Sequence, residues 1–299
     1  MNKIFNKLVL LLIVSFTSLS FVSALPPINL NSCQNLNISG ATYVLTQNIT
    51  TTGTCFIVSA NNIFLNGAGF SVSGVGQGYG IVADSINNLT IRNLTIASFN
   101  TGIFSHFGLD NSLIEYNNIR SNDEEGIDLL DDSDNNLIRK NKITLNGQQG
   151  ILIGPSSSGN VILENNVSFN PGDGLRMISA TNNLVQGNNF NNNGERGIFL
   201  NYDSNNNQIL NNTMNQNALI GLITVSNFGN IFKDSEIIGS GQDAIYISSS
   251  NVAGHVFQNV LISGVGPSFK DILFDNPGPT GLKNITFIDM PHVAKYTFS

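Results

Sequence analysis

The sequence predicts an all-β solenoid, a single-stranded parallel β-helix of about ten turns with 23–24 residues in each. Three observations predict it. Glycines ahead of an apolar residue fall at Gly80, Gly102, Gly126, Gly150, Gly174, Gly197 and Gly221, with Ala244 in the next copy. The steps are 22, 24, 24, 24, 23, 24 and 23 residues. Three asparagine columns keep the same step: Asn136, Asn160, Asn183, Asn207 and Asn230; Asn117, Asn141, Asn165, Asn188 and Asn212; Asn122, Asn146, Asn170, Asn193 and Asn217. Finally, apolar residues alternate within a unit, as at Ile151 and Ile153 or Val167 and Phe169, and no ten-residue helical stripe occurs.

Period two means short strands, and a repeat of two dozen residues leaves room for three of them separated by Gly/Asn turns. Successive turns of such a coil stack ~4.8 Å apart, so each residue sits over its equivalent in the next turn. That explains the columns. Stacked asparagines hydrogen-bond along the axis, satisfy turn backbone and tolerate left-handed dihedrals. Ile81, Ile103, Ile127, Ile151, Leu175, Ile198, Leu222 and Ile245 form the matching apolar column inside.

The segments follow in order. Lys3 and Lys7 precede an apolar run that ends at Val22-Ser23-Ala24, the pattern of a secretory signal peptide over residues 1–24. Residues 25–75 are the first, less regular turns, 76–265 the regular coil, and 266–299 irregular closing turns that carry four prolines. An open coil exposes unpaired strand edges, so each end needs a cover. The two cysteines, Cys33 and Cys55, are 22 residues apart, close to one repeat. In an exported protein they form one disulfide between adjacent turns. The expectation is therefore a secreted, periplasmic or cell-surface monomer with no membrane span after signal cleavage. A net charge of −7 and a pI near 4.8 leave no electrostatic footprint for nucleic acid.

One stretch concentrates chemistry. EEGIDLLDDSDNN, residues 124 to 136, holds six of the 20 acidic residues. In the repeat, Ile127 and Leu129 point inward and Asp128 points out. Its column neighbours are Val82, Phe104, Leu152, Arg176, Phe199 and Tyr246, with Asp131, Asp132 and Asp134 in the following turn near His106 and Phe107. Three readings stay open. The cluster is a solvated turn in which Asp134 or Asp131 caps backbone amides. It is a calcium site of Asp128, Asp131 and Asp132, which supply hard oxygens. Or it is catalytic, with Asp128, Asp131, His106 and Arg176 moving protons or stabilising charge. The outward Phe104, Phe199 and Tyr246 suit stacking against sugar rings. Glu195 and Arg196 read as solvated turn residues, and Glu115 with Arg139 as an exposed cross-turn ion pair worth under ~1 kcal/mol.

Units such as GILIGPSSSGNVILENNVSFN and GLRMISATNNLVQGNNFNNNG make residues 60 to 265 resemble right-handed parallel β-helix proteins of the NosD-type and of the carbohydrate-binding and sugar-hydrolase (pectate lyase-like) families. The resemblance implies a right-handed coil that presents its outer face to a polysaccharide or surface glycan. It also implies an alternative as a lyase, C5-epimerase or glycoside hydrolase centred on Asp128 and Asp131, or as a non-catalytic adhesin-like surface protein. Galacturonases of this fold carry an Asp pair with Gly-His-Gly and Arg-x-Lys; here Asp131-Asp132 looks like the pair, but Gly254-His255 lies five turns away and no Arg-x-Lys exists. Mannuronan epimerases carry Tyr-Gly-Phe-Asp-Pro-His-Asp. E-G-I-D-L-L-D is similar to it at Gly126, Asp128 and Asp131, with Glu125 in place of the tyrosine and Leu130 in place of the histidine. His106, from the turn below, is the histidine nearest to filling that role. Copper, implied by the NosD name, finds three histidines and four methionines that do not cluster.

Overall fold

The computed structural model describes residues 26–248, 254–275, 286–288 and 296–298. The predicted signal peptide lies outside them, as does most of the stretch after Asp275. Among the described residues every regular element is a strand, and no helix is long and apolar enough to cross a membrane. Two 12-stranded parallel sheets run the length of the molecule, and a 6-stranded sheet with a 2-stranded continuation closes the third side. Each turn visits the three walls in order. Ile127–Leu129 lies in the first wall, Leu137–Arg139 in the second and Lys142–Thr144 in the third, before Ile151–Ile153 returns to the first. The coil of 23–24-residue turns is as the repeat predicts.

The register is that of the columns. Ile103 pairs with Ile127, Ile127 with Ile151, Ile151 with Leu175, and Leu175 with Ile198. These residues are fully buried, as are Ile114, Ile138 and Ile162 from the second wall and Ile119, Ile143 and Val167 from the third. The core is thus a stack of apolar, mostly aliphatic side chains, three walls deep, in which each layer packs on the next.

The corners explain the asparagines. Second-to-third corners place Asn93, Tyr116, Lys140 and Glu164 at φ 53–54, and third-to-first corners place Ser121, Leu145 and Phe169 at φ 55, 59 and 60. One left-handed residue between two strands turns the chain sharply, and the next residue is a column asparagine from Asn117 onward (Leu94 holds that place after Asn93). Asn141 shows the pattern. Its Oδ1 accepts the Asn117 backbone N–H (2.9 Å) and side-chain amide (3.1 Å), while its Nδ2 donates to the Ile114 carbonyl (2.8 Å) and to Asn165 Oδ1 (3.0 Å). Bent backbone that cannot join a ladder is thereby satisfied in a dry interior. The glycine column has a steric cause instead. A Cβ on Gly150 would lie 2.1 Å from Val167 Cγ1 and 2.9 Å from the Gly174 carbonyl oxygen.

Cys33 and Cys55 are bonded, each one residue ahead of paired strands (Gln34 opposite Phe56), with Cα atoms 4.4 Å apart. The strand ladder also continues beyond the regular repeats: Ile272–Asp275 pairs on Ile245–Ser248 and receives Tyr296–Phe298 in turn. Closing a loop of this length constrains the unfolded chain by about 3 kcal/mol in the chain-entropy account. The Cys33→Ser/Cys55→Ser variant should therefore lose about 3 kcal/mol in urea unfolding, first in the N-terminal turns. An unchanged midpoint would show that the bond constrains nothing.

Candidate functional site

The outer face of the first wall builds a strip from two columns. One is the predicted column, in which Phe104 pairs with Asp128, Asp128 with Leu152, Leu152 with Arg176 and Arg176 with Phe199. The other lies just ahead of the glycines: Thr101, Glu125, Gln149, Asp173 and Arg196. The amides of Gly102, Gly126, Gly150 and Gly174 bond in turn to the carbonyls of Glu125, Gln149, Asp173 and Arg196, which holds these residues in vertical order. Because the glycines carry no side chain, the strand passes close to the inner wall and the residue before each glycine is drawn against the coil. Glu125, Gln149 and Asp173 are buried accordingly.

Five charges meet there. Burial is the main cause that pushes Asp128 up to about 7, with Glu125 and then Glu124 adding repulsion. Glu125 is also raised by burial and by Glu124, partly countered by a backbone hydrogen bond, then by Arg176 and a hydrogen bond from Thr101. Asp173 has no exposed surface, and burial raises it to about 6 even though Arg196 Nη1 stands 3.2 Å from its Oδ1. Here desolvation exceeds the attraction of the ion pair. Arg196 also bonds Glu195 Oε2 at 2.8 Å. Both guanidiniums rest on one ring, with the Cζ atoms of Arg196 and Arg176 at 4.6 and 5.2 Å from the Phe199 centroid. Asp128 Oδ1, Asp173 Oδ2 and the Nε atoms of Arg176 and Arg196 are buried and accept or donate no hydrogen bond within the protein. Such atoms are costly to leave unmatched, and they concentrate where a ligand would match them.

The sequence-predicted residues divide. Asp128, Arg176 and Phe199 stand together in the strip. Phe104 lies one turn below Asp128 and stacks flat on Tyr79 at 4.5 Å. His106 is exposed, its ring 4.1 Å from the Phe107 ring and its backbone N–H donating to Asp84 Oδ1. Tyr246 is five strands above Asp128, about 24 Å along the axis, and donates its hydroxyl to Asp275. Asp131 and Asp132 leave the strip because the chain turns after Leu129; Asp132 is exposed with φ 57, and the carboxyls that repel Asp128 are Glu125 and Glu124. Asp134 is scaffold, its Oδ1 accepting the Ser158 N–H at 2.6 Å.

Among the described residues no three His, Cys, Asp or Glu side chains gather to hold a metal; Asp128 lies on a strand, and Asp131 and Asp132 lie in the turn after it. Two corrections follow. Arg196, read as solvated, has a side chain only 22% exposed and ion-pairs inside the strip. Glu115, read as exposed, is buried with Arg139 at 2.7 Å and Arg92 at 3.7 Å on either side. Asp173 was missed entirely; its one sequence signal is a carboxylate immediately before a column glycine.

The fold defines the class: a right-handed parallel β-helix built of repeats. Residues 26–172 match the family model "Right handed beta helix region", and residues 131–267 match "Periplasmic copper-binding protein (NosD)". Copper does not fit the residues present. His106 is exposed beside Phe107, His255 is buried in an asparagine column several turns away, and Met177 and Met214 are buried in the core. No curated protein matches the chain. Among solved structures, the mannuronan C-5 epimerase AlgE6 A-module of Azotobacter vinelandii aligns at 15% identity with a TM-score of 0.74, covering 91% of this chain and 87% of that one. The periplasmic alginate epimerase AlgG aligns at 16% identity and TM-score 0.60 (88% and 76% covered). A GH87 alpha-1,3-glucanase catalytic unit from Streptomyces thermodiastaticus aligns at 11% identity and TM-score 0.61 (90% and 62%). At these identities the likeness is one of fold.

Proposed function

We propose that the protein works outside the cytoplasm and binds a polysaccharide along the outer face of the first wall, across Glu125, Asp128, Asp173, Arg176, Arg196 and Phe199. The observation that carries this reading is the concentration of unmatched buried atoms of both charge signs within four turns. Stacked strands repeat every ~4.8 Å, which gives a linear polymer regularly spaced contacts as it runs along the axis. Phe104 and Tyr246 extend the strip below and above. The fold relatives, which act on mannuronan, alginate and α-1,3-glucan, support a carbohydrate ligand. The leader expected over residues 1–24 and the disulfide suit an extracytoplasmic setting.

Binding is tested by calorimetry with oligomannuronate, oligogalacturonate and α-1,3-gluco-oligosaccharides. Arg176→Ala should weaken the preferred ligand tenfold or more, about 1.4 kcal/mol. If none of the three series binds at millimolar concentration, or if Arg176→Ala leaves affinity intact, the reading is wrong.

One observation favours chemistry as well as binding. A carboxyl at about 7 is poised to take or give a proton near neutral pH, and Asp128 has an unmatched oxygen with which to do it. In this second reading Glu125 replaces Asp131 as the neighbouring carboxylate, and His106 is the nearest imidazole. Product analysis on the same oligosaccharides decides it: turnover that falls about 100-fold in Asp128→Asn with affinity kept marks catalysis, and absence of product marks a binding protein.

A further inference from the structure

The corner opposite the first wall, where the second sheet passes into the third, carries a depression of about 480 Å³ formed by three consecutive turns. That volume lies within the roughly 300–1,000 Å³ span of small-ligand sites. Asn66, Asn93, Thr95, Tyr116 and Asn118 line it, and none of its lining side chains is charged. We propose that this depression is a second, separate sugar site that takes a neutral disaccharide.

Three features point to that ligand. Primary amides present donor and acceptor in one plane, which matches a pair of neighbouring hydroxyls, and three asparagines converge here. Tyr116 supplies an apolar ring for the C–H face of a pyranose. It is 47% exposed and its backbone sits at φ 54, in the left-handed region that disfavours large side chains. The equivalent corners above and below hold Lys140, Glu164, Gly187 and Asn93, so a strained aromatic at the rim is peculiar to this turn. Lastly, Asn118 Oδ1 is buried and accepts no hydrogen bond from the protein. An acceptor left in that state is costly, and a ligand hydroxyl donating to it would offset the cost.

A second depression on the same corner shows what the first has in addition. Six turns further on, about 350 Å³ is lined by Asn211, Thr213, Asp234, Glu236 and Asn259. No aromatic ring lines it, and its polar groups are engaged, Asp234 Oδ1 by Asn259 Nδ2 at 2.9 Å and Glu236 Oε1 by Asn215 Nδ2 at 2.5 Å. At Tyr116 the nearby cation is also spoken for. Lys140 stands 5.7 Å over the ring from the turn above and is held by Glu164 at 3.5 Å.

The test is calorimetry of the full chain with cellobiose, maltose and laminaribiose, and with digalacturonate as a charged control. At least one neutral disaccharide should bind with millimolar affinity and digalacturonate should not compete with it. Tyr116→Asn keeps a residue suited to φ 54, so its Tm should hold or rise while affinity falls tenfold or more; Asn118→Leu should weaken binding likewise. Two results overturn the proposal. One is no binding by any neutral disaccharide at millimolar concentration. The other is binding that survives both variants and is lost in Arg176→Ala/Arg196→Ala, which would place the sugar on the first wall.

Discussion

Asn141→Ala is expected to cost about 4 kcal/mol, measured as a loss of stability in urea unfolding, although it removes only a few atoms. The Asn117 N–H would be left buried without its 2.9 Å acceptor, and the Ile114 carbonyl would lose its 2.8 Å donor. An unmatched buried group costs about 1–3 kcal/mol, two are affected, and the surroundings cannot collapse without distorting the corner. The control is Asn166→Ala in the next turn. Asn166 is exposed and its Oδ1 accepts only the Ser168 hydroxyl among side chains, so its loss should stay within about 0.5 kcal/mol. A small effect at Asn141, under about 1 kcal/mol, would mean that the asparagine ladder is not a principal support of the coil.

Asp128→Asn is expected to stabilise the protein above neutral pH by about 2–4 kcal/mol and to leave it nearly unchanged near pH 4. The folded carboxyl titrates at about 7 against about 3.9 in the unfolded chain. Between those values the native state holds the proton and the unfolded state does not. Stability therefore falls as pH rises from about 4 to 7 and is level above, the reverse of an ion-paired carboxylate. Asp173, at about 6, adds a loss over roughly pH 4–6 with the same sign. His255 opposes both. Buried where the neighbouring turns have asparagine, it is held down to about 4, so its contribution is lost as pH falls from about 6.5 towards 4. The wild-type profile is consequently flattened by compensation, and the difference between wild type and variant, taken at pH 4 and pH 8, is the quantity to measure. A variant no more stable than wild type at pH 8 would show that Asp128 is hydrated and ordinary. Groups that weaken the fold in this way are found where function requires them.

The winding of this chain was legible because of a special property of solenoids. Residues two dozen apart become vertical neighbours, so contacts that are long-range in most folds leave a short, regular trace in the sequence. Asn117, Asn141 and Asn165 stack as their spacing requires, and Cys33 meets Cys55 for the same reason. Asp128, Arg176 and Phe199 were correctly placed in one column. Asp131 was not part of it, because the chain turns after Leu129, and periodicity does not say where a turn sends its carboxylates. Arg196 looked like a solvated turn residue, and Asp173 drew no reading at all. Asp173 is buried and Arg196 half-buried because a column glycine follows each of them and draws the backbone inward.

By itself the sequence determined the class of fold, the register of every regular turn, the disulfide and the column of outward residues. All of these are relations along the axis, and the repeat states them outright. Only the tertiary structure decided which charges lie side by side across the columns and how much water reaches them, and therefore which carboxyls keep a proton near neutrality. Those quantities depend on lateral packing and local dielectric, and neither leaves a period in the sequence.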